Sequence, residues 1–280
     1  MIREELVFVA TCDISGHVRG KGFPARELKA RVRRGVGWTG SNLMMSPQGP
    51  IWDTPFGTAG DLMIVPDPAA EVRVDFADGS AIEHFFLGDI CTTDGIPWEC
   101  CPRDFLRRAG DALEAAAGLR LVAAFEQEFL YSGTDHRPGD AYALGAFRRQ
   151  GIFGESLIAA LRIAGVVPDT FLAEYGARQF NIEFRACDAA ASPYLALGAV
   201  IFAGVDGIRR ALPLPAPGGT VAALPQSLTA ALDNLAADTT VGGWFGPTHL
   251  DAYLRFKRVE AEKVAGLAEA ELCAHYAEIY

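Results

Sequence analysis

The strongest constraint on the fold is a change of pattern near residue 98 of this 280-residue chain. Before that point, short β-branched or alternating apolar runs are separated by Gly, Pro and Asp-Gly pairs, which is typical of strands joined by turns. After it, apolar residues recur at helical spacing, first in residues 102–119, where Pro102 stands at the helix start and Gly118 near its end. The sequence therefore predicts an α+β protein with a β-rich domain at 1–97 and a second domain at 98–280.

The individual elements follow from the same patterns. The runs predicted as strands in the first domain are ELVFVATCD (5–13), KARVRRGV (29–36), DLMIVPD (61–67), EVRVDF (71–76) and AIEHFFLGDI (81–90). In the second domain, strands are predicted at 119–131 and 178–186, a polar aromatic loop at 132–150, and helices at 102–119, 155–165, 192–212, 227–237 and from 247 onward.

Charge and composition exclude several classes of function. A formal net charge of −10 and the absence of any basic run argue against a nucleic-acid surface. The N-terminus has only five apolar residues in a row, too few for a signal peptide, and the apolar stretch at 194–205 is too short to cross a bilayer. The six cysteines show no zinc-ligand spacing, which favours free thiols in a reducing compartment. We therefore expect a cytoplasmic protein with no nucleic-acid or membrane partner.

Two carboxylates stand one strand step apart in FEQEF, residues 125–129. Side chains alternate along a strand, so Glu126 and Glu128 project from one face and the aromatic residues from the other. Such a pair repels itself unless a cation lies between the carboxylates, and oxygen ligands favour Mg²⁺ or Mn²⁺. The same pattern also fits an ordinary strand with a solvated acidic face.

A second alternating strand is QFNIEFR, residues 179–185. Its apolar residues predict a core face, and its polar residues form a row that ends in Glu183 and Arg185. If the two strands share a sheet, their polar faces make an acidic site with one guanidinium for a phosphate or carboxylate. The alternative is a half-exposed edge strand with an incidental Glu-Arg pair.

In several segments that follow in order along nearly the whole chain, the sequence resembles the glutamine synthetase family. FEQEF resembles the family's Glu-x-Glu-Phe strand. The other segments that resemble family motifs are GHVRGK at 16–21 (the Gly-x-x-Arg-Gly-Lys turn), GVGWTGS at 35–41 (the Phe-Asp-Gly-Ser loop), DGIPW at 94–98 with PR at 102–103 (the entry into the catalytic domain), EYG at 174–176 with Gln179 (the His-Glu-x-Gly-x-Gly-Gln segment), SPYLAL at 192–197 with GVDGI at 204–208 (the Asn-Pro-Tyr-Leu-Ala helix), and the tail from 253 to 280.

This resemblance implies a fold and a set of site residues. The implied fold is an N-terminal β-grasp-like module followed by a shortened catalytic module, in which helices flank an antiparallel sheet. The implied metal ligands are Glu126, Glu128, Glu174 and Glu183. Arg185 matches a transition-state arginine, and Glu174 is also a candidate catalytic residue. The implied substrate-binding positions are Thr39, Asn42, Gln179 and Asn181.

Three departures from the family pattern matter for the chemistry. Residues 178–188 fuse two motifs that are far apart in typical members, and the lost block carries the His-x-His segment, the flap glutamate and the Asn-Arg segment that holds phosphate and substrate carboxylate. Asn181 stands where a metal-binding Glu is expected. Thr39 occupies the position of the loop Asp that helps to bind ammonium, and Asn42 replaces a neighbouring Ser.

The resemblance implies an ATP- and Mg²⁺- or Mn²⁺-dependent ligase that joins an amine to a glutamate-like carboxyl, and a ring-forming homo-oligomer. Loss of the ammonium Asp favours an amine over ammonia. Two other interpretations stay open because phosphoryl transfer depends mainly on positioned charge, much of which is missing. One is a catalytically reduced homologue that acts as a binding, regulatory or structural subunit. The other is a remodelled enzyme that performs a different reaction on an amino acid.

Overall fold

A computed structural model describes residues 2–57, 61–125, 139–168, 171, 191–213, 223–277 and 279. Its N-terminal part is a five-stranded sheet in the order β2-β1-β5-β4-β3, in which β1 and β5 are parallel and the other neighbours antiparallel. The strands are β1 (Leu6–Cys12), β2 (Val18–Pro24), β3 (Val36–Trp38), β4 (Leu62–Val74) and β5 (Glu83–Thr92).

Helices make up most of the rest of the described chain. They are α1 (Leu28–Arg34), α2 (Pro102–Ala117), α3 (Leu144–Arg149), α4 (Gly151–Ile163), α5 (Pro193–Arg209), α6 (Leu228–Ala237), α7 (Thr239–Phe245), α8 (Pro247–Val264) and α9 (Glu269–Ala277). This arrangement confirms the predicted α+β class. None of the described helices is long and apolar enough to cross a membrane.

One face of the sheet forms the first core cluster. Val7 and Val9 of β1 are fully buried there with Ile64 of β4 and Ile90 of β5, and Leu28 of α1 packs against the cluster. Burial alternates over the first four residues of β1, as the two-residue period of a strand predicts, and the last three residues of the strand are all buried. The sheet therefore buries one face beneath α1.

The longer helices lie where the sequence predicts them. Pro102 lies at the start of α2, and Gly118 ends that helix in the left-handed conformation, with φ 65°. Helices α4, α5, α6 and α8 also lie where the apolar periodicity predicts them. The side chain of Ser227 accepts a hydrogen bond from the amide of Ala230 and caps α6.

Several local predictions were wrong. The strand predicted at 29–36 is mostly helix α1, because Gly35 closes the helix with φ 74° and strand pairing begins only at Val36. The two runs at 61–67 and 71–76 form a single strand, β4, whose register shifts between Pro66 and Glu71. Strand β2 and the short helices α3 and α7 were not predicted. Residues 119–125 are not a strand, and the rest of that predicted element lies outside the described residues.

Helices α2 and α5 pack against each other at close range. The ring of Phe105 is fully buried, and a Cβ added at Gly198 of α5 would lie 2.6 Å from that ring. Only a glycine at this position permits the approach. Phe105 also contacts Phe202 and Phe245, with centroid distances of 5.4 and 4.8 Å, so this single side chain joins α2, α5 and α7.

Candidate functional site

The loop that carries Thr39 and Asn42 is held between the sheet and the helices. It is a short 3-10 helix over Gly40–Met44, in which the amide of Asn42 donates to the carbonyl of Thr39 at 3.0 Å. Leu43 and Met44 are buried in a cluster with Ile14 of the N-terminal part and with Cys100, Ala252 and Phe256. The loop is therefore fixed by burial at its C-terminal half, while Thr39 and Asn42 stay half-buried.

Gly40 explains why the start of this loop is tightly defined. A Cβ at Gly40 would lie 3.1 Å from Phe56 and 3.3 Å from Trp98. Those two rings meet edge to face with centroids 5.0 Å apart. The aromatic pair thus leaves little room for a side chain at the residue that follows Thr39.

Asp13 organises the turn that precedes β2. Its carboxylate is almost fully buried and accepts hydrogen bonds from the hydroxyl of Ser15 (2.7 Å), the amide of His17 (2.9 Å) and the guanidinium of Arg19 (2.7 Å). Arg19 also donates to the carbonyl of Ser46, at 3.1 Å. Because Ser46 closely follows the 3-10 helix, Asp13 and Arg19 connect the GHVRGK turn to the loop of Thr39 and Asn42.

A second charged network joins the sheet to α2. Arg103 donates to Asp89 of β5 at 3.0 Å and to Asp67 of β4 at 2.9 Å. Arg107 adds a 2.7 Å contact to Asp89. The hydrogen bond from Arg103 lowers the pKa of Asp67, so both partners keep their charges at neutral pH. These pairs set the orientation of α2 on the sheet.

The sheet also meets the start of α5. The thiol of Cys12, at the end of β1, lies 3.5 Å from the hydroxyl of buried Ser192. Burial raises the pKa of Cys12 to about 11, so this thiol is protonated at neutral pH. Five cysteines in the described part of the chain are free thiols, as the sequence predicts.

The structure describes only two of the predicted site residues. Thr39 and Asn42 lie together in the loop above. The other predicted positions lie outside the described residues; they are Glu126, Glu128, Glu174, Gln179, Asn181, Glu183 and Arg185. Within the described ranges, no group of three or more His, Cys, Asp or Glu side chains is placed to hold a metal ion.

Sequence reasoning missed two features of the helical part. His249 of α8 is fully buried, and its two ring nitrogens have no hydrogen-bond partner among the described residues. The Nη2 atom of Arg108 in α2 is also buried and also has no hydrogen-bond partner among the described residues. A lone His or Arg in an amphipathic helix carries no signal of burial, and only the packing of α2, α7 and α8 shows it.

Comparison with known families gives two matches on this chain. Residues 2–98 match the glutamine synthetase N-terminal domain, and residues 158–273 match the glutamine synthetase catalytic domain. Together the two matches span more than half of the 280 residues.

The curated relatives are similar over shorter stretches. The gamma-glutamylpolyamine synthetase GlnA3 of Streptomyces coelicolor is 34% identical over 136 residues, which cover 44% of this chain and 28% of that protein. A glutamine synthetase of the same organism is 38% identical over 102 residues, which cover 31% of this chain and 21% of that protein. The matched stretches thus span less than a third of the length of these relatives.

Solved structures resemble the whole chain. A novel glutamine synthase homologue superposes with a TM-score of 0.86 at 24% identity and covers 100% of this chain and 99% of its own. GmaS without ligand gives a TM-score of 0.66 at 16% identity, with 96% of each chain covered. At these identities the likeness shows the fold alone.

Proposed function

Because the chain belongs to the glutamine synthetase family, we propose that it is a ligase that uses ATP and a divalent cation to join an amine to the side-chain carboxyl of a glutamate-like substrate. The observation that carries the proposal is the presence of both family parts on one chain, at 2–98 and 158–273. The loop of the first part is held in place by the second, through the burial of Leu43 and Met44 against α8.

The proposed domains are 1–97 and 98–280. The end of the N-terminal match at residue 98 and the start of α2 at Pro102 support this division. A mixed sheet with α1 on one face supports the β-grasp-like description of the first domain. In the family this module packs against a neighbouring subunit, so we also propose a homo-oligomer larger than a dimer, for which light scattering at micromolar concentration is the test.

The acidic residues proposed as metal ligands form a suitable donor set. Glu126, Glu128, Glu174 and Glu183 offer only carboxylate oxygens, the ligands that Mg²⁺ and Mn²⁺ prefer. A cation bound there would neutralise phosphate charge. Arg185 is proposed to stabilise the transferring phosphoryl group, and Gln179 and Asn181 to contact the amino-acid substrate.

Thr39 supports an amine rather than ammonia as the second substrate. It offers a half-buried hydroxyl where the family has a carboxylate, so it can accept a hydrogen bond from an amine but supplies no negative charge for ammonium. Asn42, three residues further along, adds an amide that can donate or accept. That GlnA3 is a polyamine ligase agrees with this choice of substrate class.

The test is phosphate release from ATP with glutamate and Mg²⁺, first with ammonia and then with a panel of primary amines. We expect amine-dependent turnover that Glu126→Ala abolishes and that Glu155→Ala leaves unchanged, since Glu155 is exposed on α4. Thr39→Asp is expected to shift the preference towards ammonia. Robust turnover with ammonia in the wild type would contradict the assignment of Thr39.

A second measurement separates the ligase from a catalytically reduced homologue. The melting temperature is compared with Mn²⁺ and with a chelator, in the wild type and in Glu128→Ala. Metal-dependent stabilisation that Glu128→Ala removes, without turnover on any amine, would favour a binding or regulatory subunit. No metal-dependent shift in the wild type would contradict the metal site itself.

A further inference from the structure

The two edge strands of the sheet, β2 and β3, are connected by a side chain. They stand at opposite ends of the strand order. The Nζ atom of Lys21 in β2 nevertheless donates to the carbonyl oxygen of Gly37 in β3, at 2.7 Å. The sheet therefore curves until its two edges lie within the reach of one lysine side chain.

Arg19 makes a second connection from the same face of β2. Side chains two residues apart on a strand point to the same side, so Arg19, Lys21 and Phe23 share one face. Phe23 is buried in the core cluster that includes Trp38 of β3, so this face is directed towards that strand. The Nη2 atom of Arg19 donates to the carbonyl oxygen of Ser46 at 3.1 Å. Both cationic side chains thus reach from one edge of the sheet to the segment at the other.

The two acceptors flank the loop that carries Thr39 and Asn42. Gly37 precedes Thr39 by two residues, and Ser46 follows Asn42 by four. One strand therefore holds this loop on both sides. Burial of apolar residues fixes the depth of the loop but is non-directional, whereas a hydrogen bond also fixes its position along the sheet edge.

Arg19 is itself held in place by Asp13. The side chain of Asp13 is 1% exposed, and its Oδ2 atom accepts a hydrogen bond from the Nε atom of Arg19 at 2.7 Å. The hydroxyl of Ser15 and the amide of His17 donate to the other carboxylate oxygen. A buried, charge-assisted hydrogen bond of this kind fixes the guanidinium beside the loop. Lys21 is exposed, so water competes for its hydrogen bond and its contribution is smaller.

We propose that Arg19 and Lys21 are positioning residues for the second substrate, because they hold the loop in the arrangement in which Thr39 and Asn42 meet the amine. The inference rests on the proposed ligase function, in which Thr39 accepts a hydrogen bond from the amine. A loop that adopts its binding arrangement only part of the time binds its ligand more weakly by that fraction. Loosening the loop therefore raises the KM for the amine and leaves the KM for ATP and for glutamate unchanged.

The first measurement is amide hydrogen exchange of the full-length chain, which requires no substrate. In Arg19→Lys, one nitrogen replaces the two that contact Asp13 and Ser46, so the variant cannot reproduce both contacts. We expect Arg19→Lys to speed exchange at residues 38–45 roughly fivefold and Lys21→Met roughly twofold, with exchange in β4 unchanged.

Arg31→Lys is the matched control for the first variant. Arg31 also pairs with a carboxylate at 2.7 Å, but that carboxylate is Glu27, one helical turn away. Exchange at residues 38–45 should therefore stay at the wild-type rate. If Arg19→Lys does not fold, Lys21→Met decides the question, because an exposed side chain is replaced at little cost in stability.

The second measurement is steady-state kinetics with the primary amine that gives the fastest turnover. Arg19→Lys is expected to raise the KM for this amine roughly fivefold. The kcat and the KM for ATP and for glutamate should stay within about twofold, and Arg31→Lys should change none of these constants. A purely structural role would instead reduce the amount of active enzyme, which lowers kcat and leaves every KM as it was.

The two measurements separate failure of this inference from failure of the proposed function. Wild-type exchange rates at residues 38–45 in both variants would show that Arg19 and Lys21 do not hold the loop, whether or not the protein is a ligase. Faster exchange with an unchanged KM for the amine would overturn the role in substrate positioning. Absence of turnover in the wild type would contradict the ligase function and with it the role in amine binding, while the exchange rates would still show whether the two side chains hold the loop.

Discussion

Two histidines are buried, one in the sheet and one among the helices, and they differ in whether their ring nitrogens have polar partners. His84 of β5 has a side chain only 5% exposed, yet both ring nitrogens contact carboxylates: Nδ1 meets Glu5 at 2.6 Å and Nε2 meets Glu71 at 2.9 Å. His249 of α8 is fully buried, and neither of its nitrogens has a partner in the described chain. Burial is similar, and only the surroundings differ.

The difference follows from what each fold element brings nearby. At the end of the sheet, the N-terminal segment carries Glu5 alongside Arg73, and the hydrogen bond from Arg73 lowers the pKa of Glu5 to about 2. Among the helices, His249 is enclosed by the rings of Phe105 and Phe245, which it meets at 83° and 74°. Burial, followed by the positive charge of Arg108, lowers the pKa of His249 to about 4. The comparison teaches that burial alone does not determine the role of a core histidine. The neighbouring groups determine whether its ring nitrogens form polar contacts with other parts of the chain.

The largest expected effect is acid sensitivity that originates at His249. Its pKa is about 4 in the folded state and about 6.5 when unfolded, so between these values only the unfolded chain takes up the proton. Stability is therefore fully present above pH 6.5, falls as the pH drops towards 4, and loses no more below 4. The full loss is about 3 kcal/mol, of which about 2 kcal/mol falls between pH 7 and pH 5.

The measurement is urea unfolding of the wild type and of His249→Leu across this pH range. Because other groups titrate as well, the quantity of interest is the difference between the two proteins. That difference should move in favour of the variant by the stated amount as the pH falls. Parallel pH curves for the two proteins would show that His249 is not the group responsible.

His84→Leu is expected to destabilise the protein by about 2 kcal/mol at pH 7, because it removes two hydrogen bonds to charged acceptors. The loss is limited at both carboxylates. Glu71 is half-exposed, so water can replace the imidazole there, and Glu5 keeps Arg73 as a partner. Urea unfolding at pH 7 gives the value. A change below about 0.5 kcal/mol would mean that the carboxylates are equally well solvated without the imidazole.

His249→Leu at pH 7 should change stability by no more than about 1 kcal/mol in either direction. The substitution removes two unpaired polar atoms from an apolar enclosure, a gain that offsets the lost ring contacts. His249→Leu and His84→Leu replace two buried histidines by the same residue, so the difference between their effects on stability measures the contribution of the polar partners. A loss as large as that of His84→Leu would point to a hydrogen bond at His249.

The smallest effect is expected at His275, which is exposed on α9 and whose Nε2 lies 2.9 Å from the side-chain amide of Gln48. His275→Gln should change the free energy of unfolding by less than about 0.5 kcal/mol at pH 7. This variant serves as the control for histidine replacement in general. A pH dependence altered as much as by His249→Leu would break the assignment to the buried ring.

Much of the fold follows from the sequence because its signals are local. The α2 pattern, with Pro102 at its start and Gly118 at its end, specifies a helix without help from the rest of the chain. β1 and β5 follow from alternating runs, and the family relationship from ordered motifs along the chain. Among the described site residues, the sequence also predicted that Thr39 and Asn42 belong to one loop.

Other features were decided only by tertiary structure, because they depend on residues far apart in the chain. Helix α1 replaces a predicted strand because Leu28 packs on the sheet core and Gly35 stops the helix. Asp13 anchors the loop near Ser46 through Arg19, which links positions that no local pattern connects.

The two histidines show most simply which features the sequence determines and which the tertiary structure determines. The sequence by itself determined that His84 lies in a strand and His249 in a helix. Only the packing placed two carboxylates beside His84 and aromatic rings around His249, because the free energy of a polar group depends on the atoms that replace water around it.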